Sequence, residues 1–200
     1  MFTNTDTMIE LQHNFKTKAH CLLELFDGTT KMSAFMRKLE AQAEVDPVRY
    51  DRDKYVGDGF EFFVELFLKL HPNDNRVGVY QYEPIQENDN GVDGIGVNIR
   101  LEKCVVQIKY RNNVQSVLTA NQDHLGNMIT EGMGTYEVVY SKDPKNYRHF
   151  VFTTAEGLHH HTDNEMFKSK VRCFAYQDFR AMLDNNNQFW NNCTEIIKAL

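Results

Sequence analysis

Between Ile95 and Ile108 hydrophobic side chains fall at every second position. Ile95, Val97, Ile99 and Leu101 form one run, and Cys104, Val106 and Ile108 form the next. A period of two predicts two strands, joined by a reversal at Asn98–Lys103. On the second strand Val105, Gln107 and Lys109 then share one face, with Val106 and Ile108 on the other. Helical spacing governs the flanks. Leu11, Phe15, Ala19, Leu22, Leu23 and Phe26 predict a first helix, stopped at Asp27-Gly28, and Met32, Phe35, Met36 and Leu39 a second, from Lys31 to Ala43.

A third helix is expected from Gly57 or Asp58 to Leu70, ended by His71-Pro72. Phe60, Phe63, Val64, Phe67 and Leu68 make one apolar face, and Phe62, Leu66 and Leu70 cover most of the remainder. A helix apolar nearly all round is buried. Its one polar stripe, Asp58, Glu61, Glu65 and Lys69, must face solvent or a cleft. Glu65 and Lys69 make an ordinary i,i+4 ion pair, so Glu61 is preferred over Glu65 as the functional carboxylate.

Further strands are expected at Val77–Tyr82, Tyr136–Tyr140, His149–Thr153 and Val171–Tyr176. Helices are expected at Val117–Glu131, near Asn164–Phe167, at Asp178–Leu183 and at Gln188–Leu200. The chain reads as α/β: a mixed central β-sheet flanked by helices, with a helical extension over 1–50 and one compact domain over 51–200. Glu44–Lys54, with Pro47 and a dense mix of charges, is the linker candidate.

Two hundred residues, 42% hydrophobic and 25% charged, describe an ordinary globular protein with room for a real core. The formal charge of −6 argues against a tight, sequence-independent nucleic-acid coat, since phosphate neutralisation supplies much of such affinity. It leaves room for a local basic rim. Cys21, Cys104, Cys173 and Cys193 are scattered, with no paired spacing for a structural zinc site, and read as reduced thiols of a cytoplasmic protein. The N-terminus shows no signal-peptide pattern, no segment is apolar enough to span a bilayer, and no Gly-x-x-x-x-Gly-Lys loop implies a nucleotide cofactor.

Three residues contradict the apolar pattern of the central hairpin. Asp93 begins the first strand, and Gln107 and Lys109 end the second; antiparallel pairing brings them together across the ladder. Local contradictions of this kind mark functional sites. An acid on one strand, followed on the next by an acid or Gln, any residue and Lys, resembles the PD-(D/E)XK nuclease core. Gly91-Val-Asp-Gly-Ile-Gly followed by Val106-Gln-Ile-Lys-Tyr resembles its Mrr-like restriction-endonuclease branch, where Gln often replaces the second acid. Phe60-Glu61, on the preceding helix, matches the Phe-Glu pair of that branch, and Val151-Phe-Thr-Thr its closing strand.

The resemblance implies a restriction-endonuclease-like core and a divalent-metal-dependent endonuclease that hydrolyses DNA phosphodiester bonds. Asp93 would be the principal ligand of Mg2+ or Mn2+, joined by the Gln107 side chain, the Ile108 carbonyl and Glu61. Lys109 would orient the attacking water or stabilise developing negative charge. Arg111, Lys142, Lys145 and Arg148 are candidate phosphate contacts, although a solvated turn is the commoner reason for three such cations in a loop. Cutting both strands favours a homodimer. Taken singly, each residue has an ordinary explanation: Asp93 as a turn residue, Lys109 as edge protection. Gln107 in place of an acid, with the negative total charge, also fits a catalytically silent DNA-binding or assembly module; a structure-selective junction resolvase is a third reading. His159-His-His161 is expected to be a surface loop, because neighbours on an extended chain point to opposite sides.

Overall fold

The computed structural model describes residues 9–13, 15–45, 51–85, 91–120, 123–143, 145–159 and 169–200. Three helices open the chain: α1 (Ala19–Phe26), α2 (Met32–Val45) and α3 (Arg52–Leu70). The first is half the length its spacing predicts. Residues 9–13 are not helical, and Phe15 reaches back to pack on Tyr55 and Phe62, with ring centroids 5.0 and 6.0 Å apart. Apolar groups at helical spacing here serve a strap laid along α3. That helix begins earlier than its glycines suggest. The Asp51 side chain accepts the N–H groups of Asp53 and Lys54 at 3.0 and 3.4 Å, and Asp53 adds a negative charge to the first turn. Gly59 lies inside the helix because a Cβ there would come within 2.5 Å of Leu39 on α2.

The central sheet holds β1 (Val79–Pro84), β2 (Gly94–Asn98), β3 (Lys103–Lys109), β5 (His149–Thr153) and β7 (Val171–Phe174), in the spatial order β1-β2-β3-β5-β7. The first three form an antiparallel meander, while β5 runs parallel to β3 and β7 parallel to β5. The register pairs Gly94 with Val106, Gln107 with Val151 and Lys109 with Thr153.

Where one helix was expected over Val117–Glu131, the chain forms a short strand, β4 (Val117–Leu118), and then α4 (Leu125–Gly134). Val117 and Leu118 pair with Gly157 and Leu158 of β6 (Gly157–Leu158). Asp123 turns the chain between them by accepting the Thr119 N–H at 2.5 Å. Tyr136–Tyr140 is not a strand either: the Val138 N–H returns to the Gly132 carbonyl at 2.6 Å and holds the segment against the end of α4. The helix expected near Asn164–Phe167 lies outside the described residues. Two helices close the chain, α5 (Tyr176–Leu183) and α6 (Asn187–Ala199).

The alternation along β3 separates two cores. Cys104, Val106 and Ile108 face a large aromatic core with Phe60, Phe63, Phe67, Phe179 and Trp190. Val105, together with Val151 of β5, faces a smaller one with Leu125 and Met128 of α4. Leu25 and Phe26 of α1 and Phe35 and Leu39 of α2 belong to the aromatic core, so the N-terminal helices bury their apolar faces there. Burial pushes the Cys104 thiol up to about 12, keeping it neutral. Among the described residues no helix is long and apolar enough to cross a membrane.

Candidate active site

Asp93 sits one residue before β2 and grips β3 twice. Its N–H donates to the Val106 carbonyl at 2.9 Å, and its carboxylate Oδ2 accepts the Ile108 N–H at 2.5 Å. These two contacts flank Gln107. The Gln107 side chain is 0% exposed, and among the described residues neither its amide oxygen nor its amide nitrogen has a hydrogen-bond partner. A buried amide left unpaired costs about 1–3 kcal/mol. Val105, on the same face of the strand, is apolar and belongs to the smaller core.

Lys109 ends β3, half-buried. The exit of the strand is clamped by two threonines. Thr153 Oγ1 donates to the Lys109 carbonyl at 2.7 Å. Thr154 Oγ1 accepts the Arg111 N–H at 2.6 Å and donates to the Arg111 carbonyl at 2.7 Å. Both threonines are buried, so their hydroxyls are committed to the backbone that positions Lys109 and Arg111.

Beside this strand end lies a cleft of about 390 Å³, lined by Glu61 from α3 and by Ile108, Lys109, Tyr110 and Arg111, with Arg52 at the helix start. Glu61 and Lys109 therefore share one cleft, and Ile108 belongs both to it and to the Asp93 contact. Gln107 does not line it; it lies immediately behind, on the same strand. The two carboxylates of α3 have different lives. Glu65 is 0% exposed and is used up by the N–H groups of Gln12 and His13 and by Lys69. The side chain of Glu61 is 30% exposed. Burial chiefly raises the pKa of the Tyr82 hydroxyl, and the charges of Asp93, Glu61 and Glu65 raise it further. That hydroxyl also donates to the Asp93 carbonyl at 3.3 Å.

The candidate phosphate contacts do not form one surface. Arg111 lines the cleft, where its guanidinium is paired with Asp123 and with the Tyr110 carbonyl. Lys142, Lys145 and Arg148 lie on the connection into β5, whose first residue, His149, pairs with Val105. They stand at the Asn98–Lys103 end of the sheet, the far end of β3 from Lys109. The strand spans roughly 3.3 Å per residue between the two ends. Arg148 is moreover paired with Glu102. Of the His159-His-His161 run only His159 is described, with its N–H on the Leu118 carbonyl.

Two contributors escaped the sequence. Arg52 lines the cleft but stood in what looked like a linker. His13 places Nε2 3.0 Å from Glu61 Oε2, a contact across 48 residues that no local pattern encodes. Among the described residues no group of three or more His, Cys, Asp or Glu side chains is arranged to hold a metal ion; a ligand set here would lean on the Gln107 amide. No protein-family model matches the chain, and no curated protein matches its sequence.

Proposed function

We propose that this chain is a divalent-metal-dependent endonuclease acting on DNA phosphodiester bonds, built on a restriction-endonuclease-like core. The observation that carries the reading is the convergence at Ile108. Its N–H takes the Asp93 carboxylate, its side is shared with Glu61 and Lys109 in one cleft, and the unpaired Gln107 amide lies next to it in the chain. A mixed sheet with helices on both faces is the architecture such a core needs.

The donor set suits a hard cation. Glu61 offers a carboxylate oxygen in the cleft and Asp93 one at the Ile108 N–H; the Gln107 amide oxygen, outside the cleft lining, is buried without a partner among the described residues and would be the neutral ligand. Mg2+ or Mn2+ held by these residues would supply charge relief on the phosphate and acidify a water. The remaining chemistry belongs to the chain. Asp93 is fixed by the Ile108 N–H, so its carboxylate needs no reorganisation on binding. Lys109, half-buried at the strand end, places an ammonium where negative charge develops on the phosphate, and can orient the attacking water. The two threonines prevent that strand end from fraying. Arg52 and Arg111 also line the cleft, Arg52 paired with Glu44 and Asp53 and Arg111 with Asp123, so Lys109 is the cation the reading relies on. Cutting both strands would favour a homodimer, because a single site handles one strand at a time.

Plasmid nicking with Mg2+ or Mn2+ tests the reading, with Asp93→Ala and Lys109→Ala as controls. Metal-dependent nicking by wild type that both variants lose supports it. Gln107 in place of an acid favours a second reading, a silent nuclease-fold DNA-binding module. Wild type that binds DNA but stays uncut at high protein and metal concentration would establish that one instead. Preference for branched over linear DNA of equal sequence would mark a junction resolvase.

A further inference from the structure

Residues 9–13 lie along α3 and reach the carboxylate that lines the cleft. The N–H groups of Gln12 and His13 donate to Oε1 and Oε2 of Glu65 at 2.7 and 2.8 Å. Lys69 approaches Oε1 of the same carboxylate at 2.7 Å and also donates to the Glu10 carbonyl. Glu65 is fully buried, and charge-assisted bonds to a buried carboxylate are strong and well oriented. The strap's main chain is thus fixed by contacts that do not involve the His13 ring. Phe15 adds a second anchor in the aromatic core.

Fixing that main chain aims the imidazole. Nε2 of His13 meets Oε2 of Glu61 at 3.0 Å, and the two side chains are 14% and 30% exposed. The imidazole is the backing; the carboxylate is what the cleft sees. Nδ1 of His13 is buried with no partner, so among the described residues Glu61 is the one hydrogen-bond contact of the ring. A histidine kept for packing alone has no need to face a carboxylate while leaving its other nitrogen unpaired.

We propose that His13 is a positioning residue of the site: it holds the Glu61 carboxylate toward the cleft in the orientation that serves a divalent cation, which makes the 9–13 strap part of the active site. This rests on the endonuclease reading above. Carboxylates that serve metals are themselves held by hydrogen bonds, and losing such a partner typically costs about 10–100-fold in metal affinity or activity.

The test uses the full chain as H13A, H13F and H13Q. Mn2+ binding is measured by electron paramagnetic resonance without DNA, beside the Mg2+ midpoint of nicking and metal-free thermal melting. H13A is expected to bind Mn2+ about 10–100-fold more weakly and to need correspondingly more Mg2+, with its melting unchanged. H13Q, whose amide can donate to Glu61, is expected to recover most of the affinity. H13F keeps the bulk and lacks the donor, so it decides the matter if H13A unfolds. Wild-type Mn2+ affinity in a folded H13A or H13F overturns the proposal and leaves the endonuclease reading standing. A wild-type chain that neither binds Mn2+ nor nicks overturns both.

Discussion

Two buried carboxamides on neighbouring strands face opposite fates. Asn98, at the end of β2, is 1% exposed and Gln107, near the end of β3, is 0% exposed. Asn98 uses both ends of its amide. Its oxygen accepts the N–H groups of Arg100 and Glu102 at 2.9 and 3.1 Å. Its nitrogen donates to Asn146 at 2.8 Å and to the Tyr147 carbonyl at 3.0 Å. Arg148 and Asn146 then hold the Glu102 carboxyl at about 2, well below the usual carboxylate range. At the other end of the sheet the same functional group has no partner among the described residues. The satisfied amide builds structure: it ties the hairpin turn to the loop entering β5. The unsatisfied one weakens the fold.

The largest expected effect falls at the unsatisfied end. Lys109→Ala should lower the nicking rate by about 10²–10³-fold, the usual cost of removing a group aimed at developing charge. Lys145→Ala, at the satisfied end, should leave the rate unchanged in the same plasmid assay. Equal losses in the two would erase the contrast between the ends.

His149 sharpens it. Both ring nitrogens are buried without partners, yet the ring lies under Gly132 of α4, where even a Cβ would come within 2.9 Å of Nε2. It is packed in, away from the cleft. Burial chiefly, helped by the charges of Arg148 and Lys170, lowers its pKa from 6.5 to about 4. Above pH 6.5 the folded and unfolded states are both neutral at this site. As pH falls the unfolded chain takes the proton first, so stability declines between 6.5 and about 4. The loss amounts to about 3 kcal/mol at 1.36 kcal/mol per pKa unit. Urea melts across that range should show the decline, and His149→Leu should flatten it without touching Mn2+ binding.

Asn98→Ala should cost about 1–3 kcal/mol by stranding its buried partners. Thermal melting would register this as a drop of several degrees, with nicking per folded molecule unchanged. If activity fell instead, the turn end would be coupled to the site.

Much of this architecture is legible in the sequence, for identifiable reasons. The period of two along β3 sorts its residues onto two cores, because one-sided contact with each core forces strict alternation. The nearly all-apolar α3 could only be buried. What escaped depends on partners distant in the chain. Leu11 and Phe15 carry helical spacing, but Phe15 packs on Tyr55 and Phe62 of α3 and Leu11 on the aromatic core. Gly57 resembled a helix start, whereas Asp51 supplies the actual cap. Val117 and Leu118 are a strand only because Gly157 and Leu158 come alongside. The site divides the same way. Asp93, Gln107 and Lys109 stand out as polar groups on apolar strands and Glu61 on the one polar stripe of its helix, while His13 is an unremarkable residue until the strap folds onto α3.

The most direct test of the account is Gln107→Met, read by thermal melting with and without Mn2+. Methionine fills nearly the same volume and removes an amide that has no partner among the described residues. The variant should melt above wild type in metal-free buffer, gaining about 1 kcal/mol, and should lose the upward shift that Mn2+ gives wild type. A variant that melts lower than wild type, or keeps the full Mn2+ shift, would show that the amide serves the fold and not a cation.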